Sequence, residues 1–148
     1  MEITSPAFEQ DGTIPVKYTC QGEEVSPPLK ISDVPTGAES LVLIMVDPDA
    51  VKPAGRIWNH WIIFNIPPDT SEINEGENPP GIQGRNTGNK IGYQGPCPPD
   101  GLHHYFFRLY ALDIKLNLRE GVSRDELEKT MKGHIIEECN LMAVYEKE

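Results

Sequence analysis

Five polar side chains that could bind a ligand stand at the ends of apolar segments in this sequence. They comprise two carboxylates, two imidazoles and a phenol: Asp47, Asp49, His60, His103 and Tyr105. Imidazole and phenol groups donate hydrogen bonds to anions, and carboxylates orient imidazole rings. A polar group among apolar neighbours at a strand end also needs a partner. These five residues are therefore candidates for a functional site.

Residues 92–101 form the segment that leads to the second histidine. They hold three glycines and three prolines among ten residues, which predicts a loop of fixed backbone shape. The loop lacks both the Walker spacing and the Gly-x-Gly-x-x-Gly pattern, so it is weak evidence for phosphate binding by itself. His103 and Tyr105 alternate onto one face of the strand that follows, whereas His104 is predicted to point away as a surface or packing residue.

Three apolar segments must position these side chains. Residues 40–46 are apolar without alternation, which is typical of a strand covered on both faces. Residues 58–66 form a second strand, and residues 105–111 alternate as a third. If the first strand runs antiparallel to the other two, its carboxyl end meets their amino ends at one edge, and the polar side chains gather there.

The remaining segments predict a β-rich chain with one helix. The prolines at positions 27 and 28 predict an edge strand for the residues that follow them, and residues 67–90 predict a functional or covering loop. Ser123 and Glu126 have the spacing of a capping box, so we expect a surface helix that runs to about Glu138. Residues 141–145 alternate as a closing strand. We predict a mainly β, antiparallel sandwich that forms a single domain over residues 1–148.

Composition limits the function and location of the chain. A length of 148 residues suffices for one core without a cofactor or disulfide. The net charge of −10 argues against nucleic acid and anionic membranes as partners. Three cysteines, without CxxC spacing, argue against a zinc site and a full disulfide framework, so we expect a reducing compartment. Neither a signal peptide nor a membrane-spanning run is evident, which predicts a soluble, cytoplasmic protein.

The order of the motifs resembles one family. Asp47-Pro-Asp-Ala, Trp58-x-His60 before an apolar strand ending at Asn65, and Gly95-Pro-Cys-Pro-Pro-x-Gly-Leu-His103-x-Tyr105 are similar to the phosphatidylethanolamine-binding proteins, also called Raf kinase inhibitor proteins. The resemblance spans nearly the whole chain. The form of the last motif and the compact length look like the bacterial and archaeal branch.

The resemblance implies an antiparallel β-sandwich with a small cavity that binds phosphate, acetate-like groups and phosphorylated head groups. Carried over by position, the binding residues are Asp47, Asp49, His60, His103 and Tyr105, with the backbone of Gly95 and Pro96 at the rim. No catalytic residue, metal or cofactor is implied. A protein partner such as a kinase or a protease is implied for a regulatory or inhibitor-like role, and a homodimer is allowed.

This sequence departs from many family members at three places. Three residues separate Asp49 from Pro53 where many eukaryotic members have one alanine, and His104 stands where arginine is common. The eukaryotic C-terminal helix beside the cavity has no counterpart after Glu148. These departures weaken the case for kinase inhibition.

Two aspartates would repel a bound anion unless they act through the histidines. We expect Asp47 and Asp49 to hold His60 and His103 in place and to favour their imidazolium forms, so that ring N–H groups, the Tyr105 hydroxyl and loop N–H groups donate to the ligand. Anion affinity should then weaken as pH rises through the histidine pKa values.

Two enzymatic alternatives are open. Asp47, Asp49, His60 and His103 could hold a divalent metal and serve a hydrolase acting on phosphorylated small molecules, although their spacing matches no ligand signature. Cys97 could serve as a nucleophile, but no orienting group is evident for it. A third class is a protein-binding regulator whose pocket recognises a phosphorylated residue or an acidic terminus.

Overall fold

The central strand of the larger sheet is β3 (Ser40–Asp47), as its unbroken apolar sequence predicts. All eight of its residues are buried. In the computed structural model, which describes residues 1–148, β3 pairs antiparallel with β4 (Trp58–Ile66) on one side and with β7 (Leu102–Leu112) on the other. The carboxyl end of β3 therefore lies beside the amino ends of β4 and β7, which confirms the arrangement expected from the sequence.

Two antiparallel sheets make up the fold, which confirms the predicted mainly β class. The larger sheet adds one short and one long strand to the central three, in the order β6-β4-β3-β7-β8, with β6 at Ile82–Gln83 and β8 at Ile135–Glu146. The smaller sheet has the order β1-β2-β5, with strands Glu2–Thr4, Leu29–Ser32 and Glu72–Ile73. Two α-helices, α1 (Val51–Ala54) and α2 (Arg124–Met131), accompany the sheets, and no helix has the length and apolarity needed to cross a bilayer.

Strand β3 separates two apolar layers, and this explains why it does not alternate. Its odd-numbered residues Leu41, Leu43 and Met45 belong to the main core between the sheets. Its residues Val42, Ile44 and Val46 belong to a smaller core on the outer face, beneath the helix α2 (Arg124–Met131) and the segment before it. Successive side chains of a strand point to opposite faces, so a strand covered on both sides must be apolar throughout.

The helix begins as predicted but ends early. The Ser123 hydroxyl oxygen accepts a hydrogen bond from the Glu126 amide at 3.2 Å, as a capping residue should. The helix stops at Met131, and Gly133 follows with a φ of 84°. Residues from Ile135 onward belong to β8, so the prediction of a helix to Glu138 is wrong. Pairing with the whole length of β7 outweighs the helical spacing of a few apolar residues in this segment.

One other expectation needs correction, and a second is extended. Strand β2 is the middle strand of its sheet and not an edge strand, because Pro27 and Pro28 precede it and remove no N–H from its ladder. Residues 67–90, expected to form a functional or covering loop, contain the two short strands β5 and β6 in addition. Part of this segment follows the open edge of β4, where the Gly84 amide donates to the Ile62 carbonyl at 2.9 Å.

The cysteines also differ from expectation. Cys20 and Cys97 form a disulfide with a Cα–Cα distance of 5.5 Å, and Cys139 is free and partly buried. The inference of a reducing compartment used the odd number of cysteines as evidence against pairing, and it loses that support. The two partners lie 77 residues apart, so only the tertiary fold brings them together.

The amino-terminal segment, residues 5–28 between β1 and β2, covers the outer edge of β8. The Asp11 amide donates to the Met142 carbonyl and the Ile14 amide to the Val144 carbonyl, each at 2.8 Å. The Val144 amide donates back to Gly12, also at 2.8 Å. The edge of the long strand is thereby closed over its second half, which protects it from pairing with other chains.

Candidate functional site

A cavity of about 190 Å³ lies where the carboxyl end of β3 meets the amino ends of β4 and β7. One wall is the loop of residues 92–101. Among its polar lining residues are Asp47, His60, Gln94, Gly95, His103 and Tyr105. Of the seven residues predicted for the site, five therefore line one cavity.

Asp49 and Pro96 do not line it. The Asp49 carboxylate lies outside the cavity, where Oδ2 accepts from both the backbone N–H and the ring Nδ1 of His104, each at 2.8 Å. Burial alone would raise the pKa of Asp49, but these hydrogen bonds outweigh it and lower the pKa. The Pro96 carbonyl accepts from the Cys20 amide at 3.1 Å and so faces the amino-terminal segment. His104 points away from the cavity as predicted, but it holds Asp49.

His103 is held between two carboxylates. Its Nδ1 bonds Asp47 Oδ2 at 2.6 Å, and its Nε2 bonds Asp100 Oδ1 at 2.7 Å. Asp47 in turn accepts from the Asp49 amide at 2.8 Å through Oδ1. Sequence reasoning predicted the Asp47 contact and missed Asp100. Its position three residues before His103, in the loop, was the available signal.

The carboxylates of Asp47 and Asp100 favour the protonated form of the His103 ring. Burial opposes a charge on His103, but the hydrogen bonds that its ring donates to Asp47 and Asp100 outweigh burial and raise the pKa of the imidazole. Burial also raises the pKa of Asp47, and its hydrogen bonds offset this only in part. Both ring nitrogens of His103 face carboxylate oxygens, which favours the imidazolium form, and in that form both N–H groups already have acceptors.

His60 is in the opposite state. Its Nδ1 lies 2.7 Å from the Gln94 carbonyl oxygen, which can only accept, so the ring proton is on Nδ1. Burial lowers the pKa of His60 to about 4, because the charged form would lose its hydration. At neutral pH the ring is uncharged and Nε2 is an acceptor. The expectation that an aspartate orients His60 is wrong, since a backbone carbonyl does so.

The Tyr105 hydroxyl is buried without any hydrogen-bond partner. Its ring packs edge-on against His60, with the ring centroids 5.3 Å apart. A buried hydroxyl left unpaired costs about 1–3 kcal/mol, which a bound ligand or a water molecule can recover. The hydroxyl is thus a donor held ready in the cavity wall.

The loop wall is fastened to the amino-terminal segment. The Gly95 amide donates to Glu24 Oε2 at 3.0 Å. This N–H is therefore not free for a ligand, although the sequence predicts that loop N–H groups donate to one. A Cβ at position 95 would stand 2.6 Å from the Tyr18 carbonyl oxygen, which explains the glycine. The Tyr93 hydroxyl donates to that same carbonyl at 2.7 Å, and the Cys20–Cys97 disulfide adds a covalent tie.

Comparison with known proteins agrees with this architecture. The sequence model of the family described as phosphatidylethanolamine-binding protein matches residues 4–146. The chain belongs to this family. Family membership confirms the resemblance drawn from the motifs at positions 47, 60 and 103.

Relatives and solved structures extend over the whole chain. A UPF0098 protein of Chlamydia trachomatis is 50% identical over all of both chains, and one of Methanothermobacter thermautotrophicus is 46% identical over 99% of each. The crystal structure of a putative homologue in this family from Chlamydia trachomatis aligns with a TM-score of 0.93 at 49% identity, covering 99% of this chain and 97% of that one. The crystal structure of YbcL from E. coli, described as a new member of the mammalian PEBP family, aligns with a TM-score of 0.90 at 29% identity, covering 99% of this chain and 98% of that one.

Proposed function

We propose that this chain binds small anions and phosphorylated ligands, and that the anion takes the place on His103 now filled by Asp100. The supporting observation is the 2.7 Å contact between Asp100 Oδ1 and the Nε2 of His103, a residue that lines the cavity. A carboxylate is itself a small anion, so the molecule carries an internal example of the group that the imidazolium accepts. His103 is buried, whereas the Asp100 side chain is 45% exposed and sits on a loop.

Exchange of Asp100 for a ligand costs little electrostatically. The imidazolium remains paired throughout, and the released carboxylate moves into water, where a charge is well solvated. The ligand also reaches the unpaired hydroxyl of Tyr105. Each charge-assisted hydrogen bond of this kind contributes about 1.5–3 kcal/mol.

The size of the cavity restricts the ligand. Its 190 Å³ is the space of about six water molecules at about 30 Å³ each, below the roughly 300–1,000 Å³ of pockets for drug-sized molecules. Phosphate, acetate or the head of a phosphomonoester fits, while the bulk of a larger molecule would remain outside.

Protons take part in binding because His60 Nε2 is an acceptor at neutral pH. It pairs with the O–H of a monohydrogen phosphate, or it takes up a proton when a fully ionised anion enters and raises its pKa. Affinity for an anion therefore falls as pH rises, which is the direction expected from the sequence. Of the two histidines, however, only His103 favours the charged form before an anion binds.

Replacement of Asp100 tests the proposal. Asp100→Ala frees His103 Nε2, so phosphate and acetate should bind roughly tenfold or more tightly, measured by calorimetric titration near neutral pH. Asp69→Ala is the matched control, because Asp69 is an exposed acidic residue that lies outside the cavity. Unchanged or weaker binding by Asp100→Ala would contradict the displacement of Asp100.

We also propose a regulatory or inhibitor-like role in the cytoplasm, in which the cavity receives an acidic or phosphorylated group of a kinase, a protease or another protein partner. Family membership supports the regulatory or inhibitor-like role. The cytoplasmic location rests on the sequence alone, because the Cys20–Cys97 disulfide is of a kind typical of oxidising environments. A pull-down that compares wild type with His103→Ala tests the role, because a specific partner should be lost with the imidazolium. Cell fractionation tests the location.

The hydrolase alternative has no support in the geometry. It needed Asp47, Asp49, His60 and His103 as ligands of one metal ion, but Asp49 lies outside the cavity and both ring nitrogens of His103 are bonded to carboxylates. No three histidine, cysteine or acidic side chains of the chain are arranged to hold a metal ion.

A further inference from the structure

A second cavity lies beside β4 and is lined only by polar residues. Asn59 lines it, whereas its neighbours Trp58 and His60 line the first cavity, because successive side chains of a strand point to opposite faces. Its volume is about 200 Å³, and none of its nine lining residues is hydrophobic.

Three guanidinium groups from three separate parts of the chain line this cavity. Arg56 comes from the loop before β4, Arg85 follows β6, and Arg124 is the first residue of α2. The only carboxylate in the lining is that of Asp125. In a chain with a net charge of −10, this concentration of positive charge creates a local field opposite to that of the whole molecule.

Most of the donors at this cavity are free. Arg85 uses Nη1 on the Asn89 carbonyl at 2.9 Å, and Arg56 has no ion-pair or hydrogen-bond partner. The Thr87 hydroxyl oxygen accepts from the Asn59 amide at 2.7 Å, which leaves its own proton available to donate. The lining therefore offers several unpaired N–H groups and a hydroxyl.

Arg124 gives the cavity a fixed wall. Its Nε donates to Glu128 Oε1 at 2.9 Å and its Nη1 to Asn59 Oδ1 at 3.0 Å. Its side chain is only 16% exposed, so the guanidinium is braced between the helix and β4. Because Arg124 also supports the fold, Arg56 and Arg85 are the residues to replace in a test.

We infer that this cavity is a second anion site, which binds the dianion of phosphate or of a phosphomonoester. A planar guanidinium matches phosphate geometry because its N–H donors are paired. Three guanidinium groups suit a doubly charged phosphate better than they suit a singly charged carboxylate ligand. The cavity contrasts with the first one, whose lining holds the carboxylate of Asp47 and the neutral ring of His60 but no arginine. The inference does not depend on the function proposed for the first cavity.

The test is a titration with inorganic phosphate, glycerol phosphate and acetate, followed by amide NMR at Asn59 and Thr87. We expect saturable shifts with both phosphates and little response to acetate. Arg56→Gln and Arg85→Gln should each weaken phosphate binding roughly tenfold or more, since each removes a charge-assisted contact. A response to inorganic phosphate without one to glycerol phosphate would limit the site to the free ion.

Two controls keep the outcome decisive. Arg119→Gln removes an equal charge at an exposed position outside the cavity and should leave binding unchanged. His103→Ala disables the first cavity and should not affect the shifts at Asn59 and Thr87. If Arg85→Gln proves unstable, Arg56→Gln decides alone, because Arg56 has no partner in the fold. Shifts that do not saturate, or an equal loss in Arg119→Gln, would overturn the inference.

Discussion

Replacing His60 by asparagine should remove a large part of the acid sensitivity of this protein. The folded state lowers the pKa of His60 from 6.5 to about 4, and each pKa unit corresponds to about 1.4 kcal/mol. The unfolded chain therefore gains a proton below pH 6.5 that the folded chain refuses until about pH 4. The wild-type protein should lose about 3 kcal/mol of unfolding free energy over that interval through this residue.

His103 acts in the opposite direction. Its folded pKa is raised, so its stabilising contribution is fully present below pH 6.5 and is lost as pH rises through the folded value. The pH dependence of the wild type alone thus mixes both residues with the carboxylates. Comparing wild type and variant at each pH isolates His60, because the other groups are common to both.

The assay is urea unfolding followed by the fluorescence of Trp58 and Trp61 on β4, at several pH values between 7 and 4. Asparagine places an amide N–H where His60 Nδ1 donates to the Gln94 carbonyl, but it does not titrate. The stability of His60→Asn relative to wild type should therefore increase by about 3 kcal/mol as pH falls through this range. His134→Asn, at an exposed histidine, is the control. A difference that stays constant with pH would refute the reasoning.

Three further predictions concern the loop wall and the coupling to protons. Cys97→Ser breaks a disulfide that spans 77 residues, so unfolding free energy should fall by up to about 4.5 kcal/mol in denaturant titrations, whereas Cys139→Ser should change it little. Gly95→Ala should lower stability by about 1–3 kcal/mol in the same assay, because its Cβ would overlap the Tyr18 carbonyl; equal stability would show that the loop can move. Phosphate binding should take up protons, seen as a calorimetric enthalpy that depends on the buffer, and the uptake should shrink in His60→Asn.

Periodicity is sufficient to predict the three central strands of the larger sheet and the meeting of their polar ends, whereas the cavity is what the family resemblance implies. An unbroken apolar run places β3 at the centre, and Asp47 and His103 follow from their positions at strand ends. The hydrogen-bond partners of individual side chains are harder to predict from the sequence. Asp49 bonds His104 instead of a cavity histidine, and Asp100 reaches His103, because the turn after β3 and the loop before β7 set those directions.

The predicted end of the helix and the predicted absence of a disulfide framework both failed because long-range contacts decide them. Residues after Met131 carry apolar side chains at helical spacing, yet strand pairing with β7 decides their conformation. Cys20 and Cys97 have no local signal at all, because their pairing depends on the loop wall lying against the amino-terminal segment. Long-range contacts of this kind leave no period in the sequence.

The cover that the amino-terminal segment provides for β8 also sets an order of folding. Thr13 bridges to Val144, so a residue that is synthesised earlier pairs with one that is synthesised much later. Contacts between such distant positions form late, because the intervening chain must first be ordered. Ile14, which is fully buried beside this bridge, therefore lacks its cover until the chain has been made as far as Val144. We expect the nascent protein to be more prone to aggregation during that interval.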